Sequence, residues 1–365
     1  MCRDPDTGRI GLHGYNNSCC RNWKRIFQYF SEKQLAIGAM HSTMNSNAPM
    51  PEHFTNERRY NPFSRFLKGR FGTKVYRVTV DAGFTCPNVD GTVTVGGCVY
   101  CDNRSFSPNR RLPRTTIREQ VRRGVTLLEN RYGAHQFLAY FQAATNTYAS
   151  VERLKRLYDE ALDHPQIIGL AIGTRPDCVP EAVLDLLQKY ARDRFVCLEL
   201  GLQSIHDRSL DWMNRGHYFD AFTDAVARCQ GRGLHLCVHV ILGLPGESRA
   251  DMLATADAIA AMPVHSVKIH NLHVVRETPM EQMYYDGKVR MLERDEYVRI
   301  VCDFLERLPV EMVIDRLNGD APPDYLVAPL WCLDKPALLH AIHEELDRRD
   351  SWQGKHRSLA GGVKV

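Results

Sequence analysis

The stretch VYRVTVDAGFTCPNVDGTVTVGGCVYCDN, residues 75–103, decides the fold and much of the chemistry of this chain. Its first six residues form a strand-like run rich in β-branched side chains. The run leads directly into a glycine-rich loop that carries Cys86, Cys98 and Cys101. Three thiolates on one loop can hold an inorganic centre and leave one coordination position free. We therefore expect the chemistry of the protein to take place at this loop.

The spacing of the cysteines leaves the nature of that centre open. Cys98 and Cys101 stand among Gly, Asn and Asp residues, which is the composition of a loop and not of a core. A Cys-x-x-Cys pair is the usual half of a zinc site, but structural zinc takes four ligands. No fourth Cys or His lies close by in the sequence. A four-iron cluster with three thiolate ligands leaves one iron free, so the chemistry favours iron–sulfur, with zinc as the alternative.

Composition sets the class of protein. The chain has 365 residues, of which 44% are hydrophobic, enough for one large α/β domain with appendages or for two domains. The net charge of +4 permits an anionic partner without requiring one. The sequence has neither an apolar signal-peptide core nor a run of 18 apolar residues, which predicts a cytoplasmic protein without a membrane span. In that compartment the 12 cysteines indicate metal binding and buried thiols instead of disulfides.

From residue 59 onward, strand-like and helical segments alternate. Six segments are rich in Val, Ile, Leu and Phe, as parallel strands are when both faces are buried; they span 74–80, 137–141, 167–173, 195–201, 235–242 and 264–271. The helices between them have start signals: a capping box at Thr116 and Glu119, N-caps at Ser150 and Ser248, and Pro180 at a first helical position. Six β/α units with right-handed crossovers predict a partial (β/α)6 barrel with its chemistry at the C-terminal strand ends.

Three regions follow from this pattern. Residues 1–52 are polar and are predicted to be a poorly ordered N-terminal extension with at most one helix, at 23–34. Met40, Met44 and Met50 within it are candidates for the first translated residue, should the segment be an overlong start. Residues 53–292 form the predicted barrel. Residues 293–365 form a C-terminal α/β extension that packs on the barrel, with a helix at 293–307, a strand at 310–315, a helix at 335–349 and a frayed tail from Trp352.

Several motifs at strand ends carry a resemblance to a known family. They are VDAGFTCPN (80–88), AYFQ (139–142), TNTY (145–148), GTRPD (173–177), ELGLQS (199–204), NRGH (214–217), GLPGE (243–247) and APLW (328–331). Together with the cysteine loop, they resemble the radical S-adenosylmethionine (radical SAM) superfamily over residues 55–355. The usual spacing there is Cys-x3-Cys-x2-Cys. The eleven residues between Cys86 and Cys98 are instead similar to the YhcC/YtqA-type members, relatives of the elongator catalytic subunit.

The resemblance implies a [4Fe–4S] cluster held by Cys86, Cys98 and Cys101, and SAM bound to its free iron. One electron from the cluster would then split SAM into methionine and a 5′-deoxyadenosyl radical. The SAM-binding positions implied by the resemblance are Tyr100, Thr145, Gln203, Arg215, His239 and Gly243. The loop at Ala143–Thr145 lacks the two glycines and the acid that relatives use for the SAM amino group. We therefore expect Thr145 and backbone carbonyls to take that role.

Substrate and partners are implied more broadly. The resemblance implies radical conversion of a 5-carboxymethylaminomethyl group to an aminomethyl group on a tRNA wobble uridine. A flavodoxin or ferredoxin would donate the electron. Polar residues at the barrel mouth, namely Lys268, His270, Asn271, His273, Arg276, Arg175 and Asp177, are candidates for substrate contacts. A radical SAM enzyme acting on a small metabolite or a protein side chain, and a non-catalytic zinc or degenerate cluster-binding protein, are the alternatives.

A basic and aromatic segment at residues 58–74 has two interpretations. Its arginines and lysines alternate with Tyr60, Phe63, Phe66 and Phe71, a pattern that fits a nucleic-acid surface. The alternative is an amphipathic helix whose rings join the core and whose charges face solvent, and the pattern favours it. Arg104, Arg110, Arg111 and Arg114 add positive charge beside the cysteine loop.

Overall fold

The structure is a computed structural model that describes residues 50–52, 54–55 and 58–357. The predictions for residues 1–49, including the helix at 23–34, lie outside the described residues. The described part belongs to one compact unit, Pro49–Arg357. Within it, the structure contains no helix that is long and apolar enough to cross a membrane.

A curled sheet of seven parallel strands forms the centre of the unit, in the order β1-β2-β3-β4-β5-β6-β8. Its strands are β1 (Val75–Val80), β2 (Gln136–Phe141), β3 (Ile167–Thr174), β4 (Phe195–Gln203), β5 (His235–Leu242), β6 (Ser266–Asn271) and β8 (Val313–Arg316). A separate antiparallel pair consists of β7 (Val274–Val275) and β9 (Leu326–Ala328). All six predicted barrel strands are confirmed, with ends that differ by at most two residues.

The partial barrel is confirmed, but it has one strand more than six β/α units provide. The strand predicted for the C-terminal extension is β8, which pairs in parallel with β6. The backbone N–H of Val313 donates to the carbonyl of His265 over 2.9 Å. The extension therefore completes the sheet in addition to packing on it. The division of the chain at residue 292 stays a prediction.

Helices flank the sheet, most of them on its outer face. They are α1 (Phe63–Phe71), α2 (Asn103–Phe106), α3 (Ile117–Tyr132), α4 (Val151–Leu162), α5 (Glu181–Ala191), α6 (Asp207–Trp212), α7 (Phe219–Cys229), α8 (Arg249–Ala260), α9 (Pro279–Tyr285), α10 (Arg294–Leu305) and α11 (Lys335–Arg348). Short 3-10 helices lie at Pro108–Arg111, Pro176–Cys178 and Leu330–Leu333.

The predicted helix starts are confirmed with two corrections. At Thr116 only half of the predicted capping box forms, because the Glu119 side chain accepts from Arg122 and not from the Thr116 backbone. The side chains of Thr116, Ser150 and Ser248 each accept the N-cap hydrogen bond, and Ser248 forms a complete capping box with Asp251. Pro180 is the N-cap residue of α5 and not its first helical residue. Its backbone is extended, at φ −63° and ψ 161°, and the helical conformation begins one residue later.

The two faces of the sheet differ in polarity. Outward-facing residues such as Val78, Leu198 and Val238 pack under the helices in the main core. The alternate positions face the barrel interior and are mostly polar. They include Arg77, Tyr140, Glu199, His239 and Lys268. A strand's period of two separates these sets. The inner face is polar toward the cavity, whereas inner residues such as Leu138, Ala171 and Cys197 form a smaller apolar cluster with α1.

Helix α1 closes the N-terminal end of the barrel. Phe63 and Leu67 are buried, and Phe66 lies 5.0 Å from the His235 ring and 6.1 Å from that of Phe195, measured between centroids. These two partners are the first residues of β5 and β4. The amphipathic-helix interpretation of residues 58–74 is therefore confirmed for α1. Its basic side chains lie at the opposite end of the strands from the cysteine loop.

The tail predicted to fray from Trp352 is instead packed as far as residue 357. Trp352 is buried, and Gln353 is completely inaccessible to solvent. The Gln353 side chain donates to the Met312 carbonyl over 2.8 Å and accepts from the backbone N–H of Asn61 over 2.9 Å. Composition missed this because one amide side chain, and not an apolar pattern, anchors the segment.

Candidate active site

A cavity of about 730 Å³ opens at the C-terminal ends of the strands. Eight of the nine predicted cluster and SAM positions line it: Cys86, Cys98, Tyr100, Cys101, Thr145, Gln203, Arg215 and His239. Gly243 does not. It has a φ of 89°, and a Cβ at its position would come within 2.9 Å of the Leu292 side chain. Tight backbone packing thus accounts for this glycine without a bound cofactor.

The three cysteines approach the cavity from one loop. Cys98 is buried, Cys86 is half-buried, and Cys101 is exposed to the cavity. Enclosure by the cavity walls, followed by the neighbouring Cys98 and Cys86 sulfurs, raises the pKa of Cys101 to about 12. Among the described residues, no three His, Cys, Asp or Glu side chains are grouped so that they could hold a metal ion. Ligands of a cluster bind different iron atoms and need not converge on one point.

The long segment between Cys86 and Cys98 is fastened to the NRGH motif that follows α6. The buried Asn88 amide donates to the carbonyls of Asn214 and Arg215 over 2.6 and 2.8 Å. In return, Asn214 donates to the carbonyls of Val95 and Gly97 over 3.0 and 2.8 Å. These reciprocal bonds, here called the asparagine latch, hold a loop of eleven intervening residues that has little core of its own.

Arg215 extends from the latch to the cysteines. Its Nη1 atom lies 3.6 Å from the Cys98 sulfur, and its Nη2 donates to the Gly201 carbonyl over 2.9 Å. Its Nε donates to His217 Nε2 over 3.0 Å. Burial and then the Arg215 charge lower the pKa of His217 to about 3, so this imidazole stays neutral and accepts the bond.

Arg175 and Asp177 stand behind Arg215. The Arg175 guanidinium binds both carboxylate oxygens of Asp177, over 2.9 and 2.7 Å, and donates to the Arg215 carbonyl over 2.7 Å. Burial opposes ionisation of Asp177, but the paired guanidinium lowers its pKa below the ordinary value. These predicted substrate residues therefore support Arg215, although Arg175 also lines the cavity.

Two residues beside the cysteine loop have unusual backbones. Ala144, in the loop after β2, has a φ of 61°, and Gln203, at the end of β4, has a φ of 74°. Non-glycine residues rarely adopt such values, and they are found disproportionately at functional sites. Ala144 thus has the backbone of a glycine at the point where relatives were expected to have glycines. The next residue, Thr145, donates its N–H to the Thr85 carbonyl over 3.2 Å.

A buried charge network forms the floor of the cavity. One oxygen of Glu199 accepts from Tyr140, His239 and Lys268 over 2.8, 3.0 and 2.5 Å. Its other oxygen lies 3.3 Å from Arg77, which also pairs with Asp315 over 2.8 Å. Burial favours the neutral acid, but Lys268 and then Arg77 hold the pKa of Glu199 well below its ordinary value.

The wall opposite the cysteines comes from β6 and the loop after it. Lys268, His270, Asn271 and His273 line the cavity as predicted, and the buried His270 Nε2 atom has no hydrogen-bond partner among the residues that the structure describes. Arg276 does not line the cavity. Its Nε donates to the Asp324 carbonyl over 3.1 Å.

Two family models match the part of the chain that forms the barrel and the cavity. A model of the Radical SAM superfamily matches residues 93–259, and a Radical_SAM C-terminal domain matches residues 264–348. The chain belongs to the radical SAM superfamily and is a radical SAM enzyme. This membership confirms the resemblance to that superfamily and the expected enzyme class.

Particular relatives extend the match along most of the chain. YtqA from Bacillus subtilis is 39% identical over 315 residues, which cover 86% of this chain and 97% of YtqA. YhcC from Escherichia coli K12 is 40% identical over 302 residues, covering 82% and 95%. The archaeal Methanocaldococcus infernus Elp3 structure aligns with a TM-score of 0.60 at 18% identity, over 76% of this chain and 64% of Elp3. At that identity, the alignment shows the shared fold alone.

Sequence reasoning missed Asn88, His217, Glu199, Arg77 and Asp315. A charged residue inside an apolar strand, such as Glu199 in FVCLELGLQ, is a signal for the inner face of a barrel. Nothing in the sequence pairs Asn88 with Asn214, because the two are 126 residues apart.

Proposed function

We propose that this enzyme modifies the side chain of a wobble uridine in tRNA, with Cys86, Cys98 and Cys101 as the ligands of a [4Fe–4S] cluster. The observation that carries the proposal is that these three thiols and the SAM-binding candidates from four strand ends line one cavity. The superfamily implies both the cluster and SAM. When bound, the cluster supplies the single electron that splits SAM into methionine and a 5′-deoxyadenosyl radical.

The residues present fit that cofactor pair. The Arg215 cation and the Asn88 amide lie beside Cys98, where they suit an anionic, thiolate-bound centre. Gln203, His239 and the loop at Thr145 form the remaining walls around a small bound molecule. The enclosed shape limits access of water to a reactive species.

The size of the cavity favours a large substrate that enters only in part. Small-molecule sites are on the order of 300–1,000 Å³. A cavity of about 730 Å³ that also receives a cluster and SAM leaves room for only the reacting portion of a substrate. The rest of the substrate would lie on the rim.

The rim has the chemistry of an RNA surface. Arg104 and Arg111 lie 5.9 and 5.7 Å from the Tyr325 ring centroid, and Phe106 is 40% exposed beside them. Arg104 is paired with Asp102 and Glu277, but no carboxylate within the described chain pairs with Arg111 or Arg114. Arginines interleaved with aromatic rings suit phosphate contacts and base stacking.

More distant relatives of known function also support a tRNA substrate. The tRNA uridine(34) acetyltransferase of Methanocaldococcus jannaschii is 25% identical over 182 residues, which span 49% of this chain and 33% of that protein. The Saccharomyces cerevisiae Elongator complex protein 3 matches over 172 residues at 26% identity. They support a uridine substrate as part of this proposal.

Two experiments test the proposal in sequence. Anaerobic reconstitution should give a brown protein that cleaves SAM when reduced, whereas Cys98→Ala should bind less iron. A colourless wild type with stoichiometric zinc would contradict the cluster assignment.

The substrate is tested in cells. Mass spectrometry of tRNA nucleosides should show one uridine derivative lost from a deletion strain and its precursor accumulated. Wild-type chain should restore the derivative, and Cys86→Ala should not. An unchanged nucleoside profile would favour the small-metabolite or protein-side-chain alternative.

A further inference from the structure

Cys98 differs from the other two cysteines in its surroundings. Its sulfur accepts from Arg215 Nη1 over 3.6 Å, and the Asn88 amide nitrogen lies at the same distance while its two N–H groups bind the carbonyls of Asn214 and Arg215. Within the described residues, no side chain donates a hydrogen bond to the sulfur of Cys86 or Cys101. The electrostatic environment of the three thiols is therefore asymmetric.

Both side chains are fixed in place by contacts unrelated to the cysteine. Asn88 is completely buried and is bonded to the backbone at Asn214 and Arg215. Arg215 is 8% exposed, and its guanidinium is braced by Gly201 and His217. Because the folded chain has already ordered the Arg215 guanidinium, its N–H group reaches the sulfur with little additional entropic cost.

Such donors have a defined effect on an iron–sulfur centre. Its reduction potential depends on net charge, on hydrogen bonds to the sulfurs and on exposure to solvent. Reduction adds one electron, and therefore one negative charge, to the cluster and its thiolates. A nearby cation and N–H donors stabilise the reduced form more than the oxidised form, and more strongly where water is excluded.

We propose that Arg215 raises the reduction potential of the cluster through Cys98, and so acts as a tuning residue in addition to holding the loop. This inference rests on the cysteine ligands assigned under the proposed function. It is compatible with a SAM contact at Arg215. A guanidinium has five N–H donors, and three are used by Cys98, Gly201 and His217.

The test is a redox titration followed by electron paramagnetic resonance, on reconstituted full-length protein without SAM or RNA. Arg215→Met should lower the reduction potential by at least about 59 mV, which for one electron decreases the ratio of reduced to oxidised cluster tenfold at a fixed solution potential. Arg215→Lys keeps the positive charge but loses the planar guanidinium, so its reduction potential should lie between those of the wild type and Arg215→Met. Arg111→Met is the matched control, because Arg111 lines the same cavity without bonding to a cysteine.

The outcomes separate this inference from the proposed function. A wild-type potential in Arg215→Met with full iron and sulfide content would overturn the tuning role. An equal shift in Arg111→Met would overturn it as well, because general charge would then suffice. If Arg215→Met does not assemble a cluster, Arg215→Lys becomes the test variant. A reduction potential of Arg215→Lys at or above the wild-type value then refutes the inference. Failure of the wild type to assemble a cluster would instead refute the ligand assignment.

Discussion

Ala144 and Gln203 have left-handed backbones, and both line the cavity. For an L-residue with a Cβ, that conformation costs roughly 1–2 kcal/mol. Each residue lies at a strand end that contributes to the predicted cofactor pocket. At this scale, the site keeps local strain that the surrounding fold must offset, as is common at functional positions.

Replacing Ala144 by Gly should therefore stabilise the fold by about 1 kcal/mol, since glycine adopts a positive φ without steric penalty. Urea unfolding of the two proteins measures the difference. Ala82→Gly is the control, because Ala82 lies in a nearby loop without a positive φ and should lose stability. Equal losses in both variants would show that the backbone of Ala144 carries no relievable strain.

At the scale of elements, the Glu199 network joins six strands of the sheet from inside. Arg77 is on β1, Tyr140 on β2, Glu199 on β4, His239 on β5, Lys268 on β6 and Asp315 on β8. Buried charges of this kind are costly to desolvate but also costly to break. The network fixes the floor of the cavity while the apolar outer face supplies most of the core.

Glu199→Gln should cost about 3–5 kcal/mol, because it leaves Lys268 and Arg77 buried with less compensation. The double variant Glu199→Gln/Lys268→Met should be more stable than the sum of the two single changes. Chemical denaturation of all four proteins, as a double-mutant cycle, gives the coupling. Strict additivity would contradict an energetic link between the two side chains.

The pH dependence of the same network has a definite sign. The pKa of Glu199 is lowered in the folded state, so its stabilisation is complete above the unfolded value of about 4.3 and is lost as pH falls through the folded value. The deficit of Glu199→Gln relative to wild type should thus be constant between about pH 5 and 8 and shrink in acid. Unfolding free energies at several pH values test this, and a deficit that varies near pH 7 would contradict it.

At the scale of the whole molecule, the two ends of the barrel have different tasks. The N-terminal ends of the strands are closed by the rings of α1, and the C-terminal ends hold the cavity and the arginine rim. Both ends carry exposed positive charge, as Lys68 and Lys74 show at the closed end. Amino-acid composition alone does not distinguish the two ends, but only the C-terminal end places its positive charges beside the cavity.

RNA binding should therefore depend on the rim alone. Arg111→Gln/Arg114→Gln should weaken binding of single-stranded RNA and flatten the slope of log K against log salt by about 1.4. Lys68→Gln/Lys74→Gln removes the same charge at the closed end and should leave both unchanged. Fluorescence anisotropy over a salt series measures this. Equal losses in the two variants would indicate attraction by net charge and not a rim site.

The packed C-terminal tail also acts at this scale, because Gln353 links it to Asn61 and to the loop before β8. Gln353→Ala should cost about 3 kcal/mol, since several buried backbone groups lose their partner. Arg357→Gln nearby should be close to neutral, because it changes an exposed side chain. Thermal unfolding distinguishes them, and a neutral Gln353→Ala would mean that the tail adds little to stability.

The sequence by itself determined the strands, most helix starts and the cysteine loop, because period, capping residues and turn residues act over a few neighbouring positions. It also indicated the end of the barrel at which chemistry occurs, since β/α connectivity sets that end. Only the tertiary structure decided that β8 completes the sheet, that α1 closes the barrel, and that Asn88 and Arg215 reach Cys98. Helix α1 meets β4 and β5, and Arg215 meets Cys98, across more than one hundred positions. Strand β8 pairs with β6 across the segment that contains α9 and α10. Such pairs meet only when the sheet brings their strand ends together.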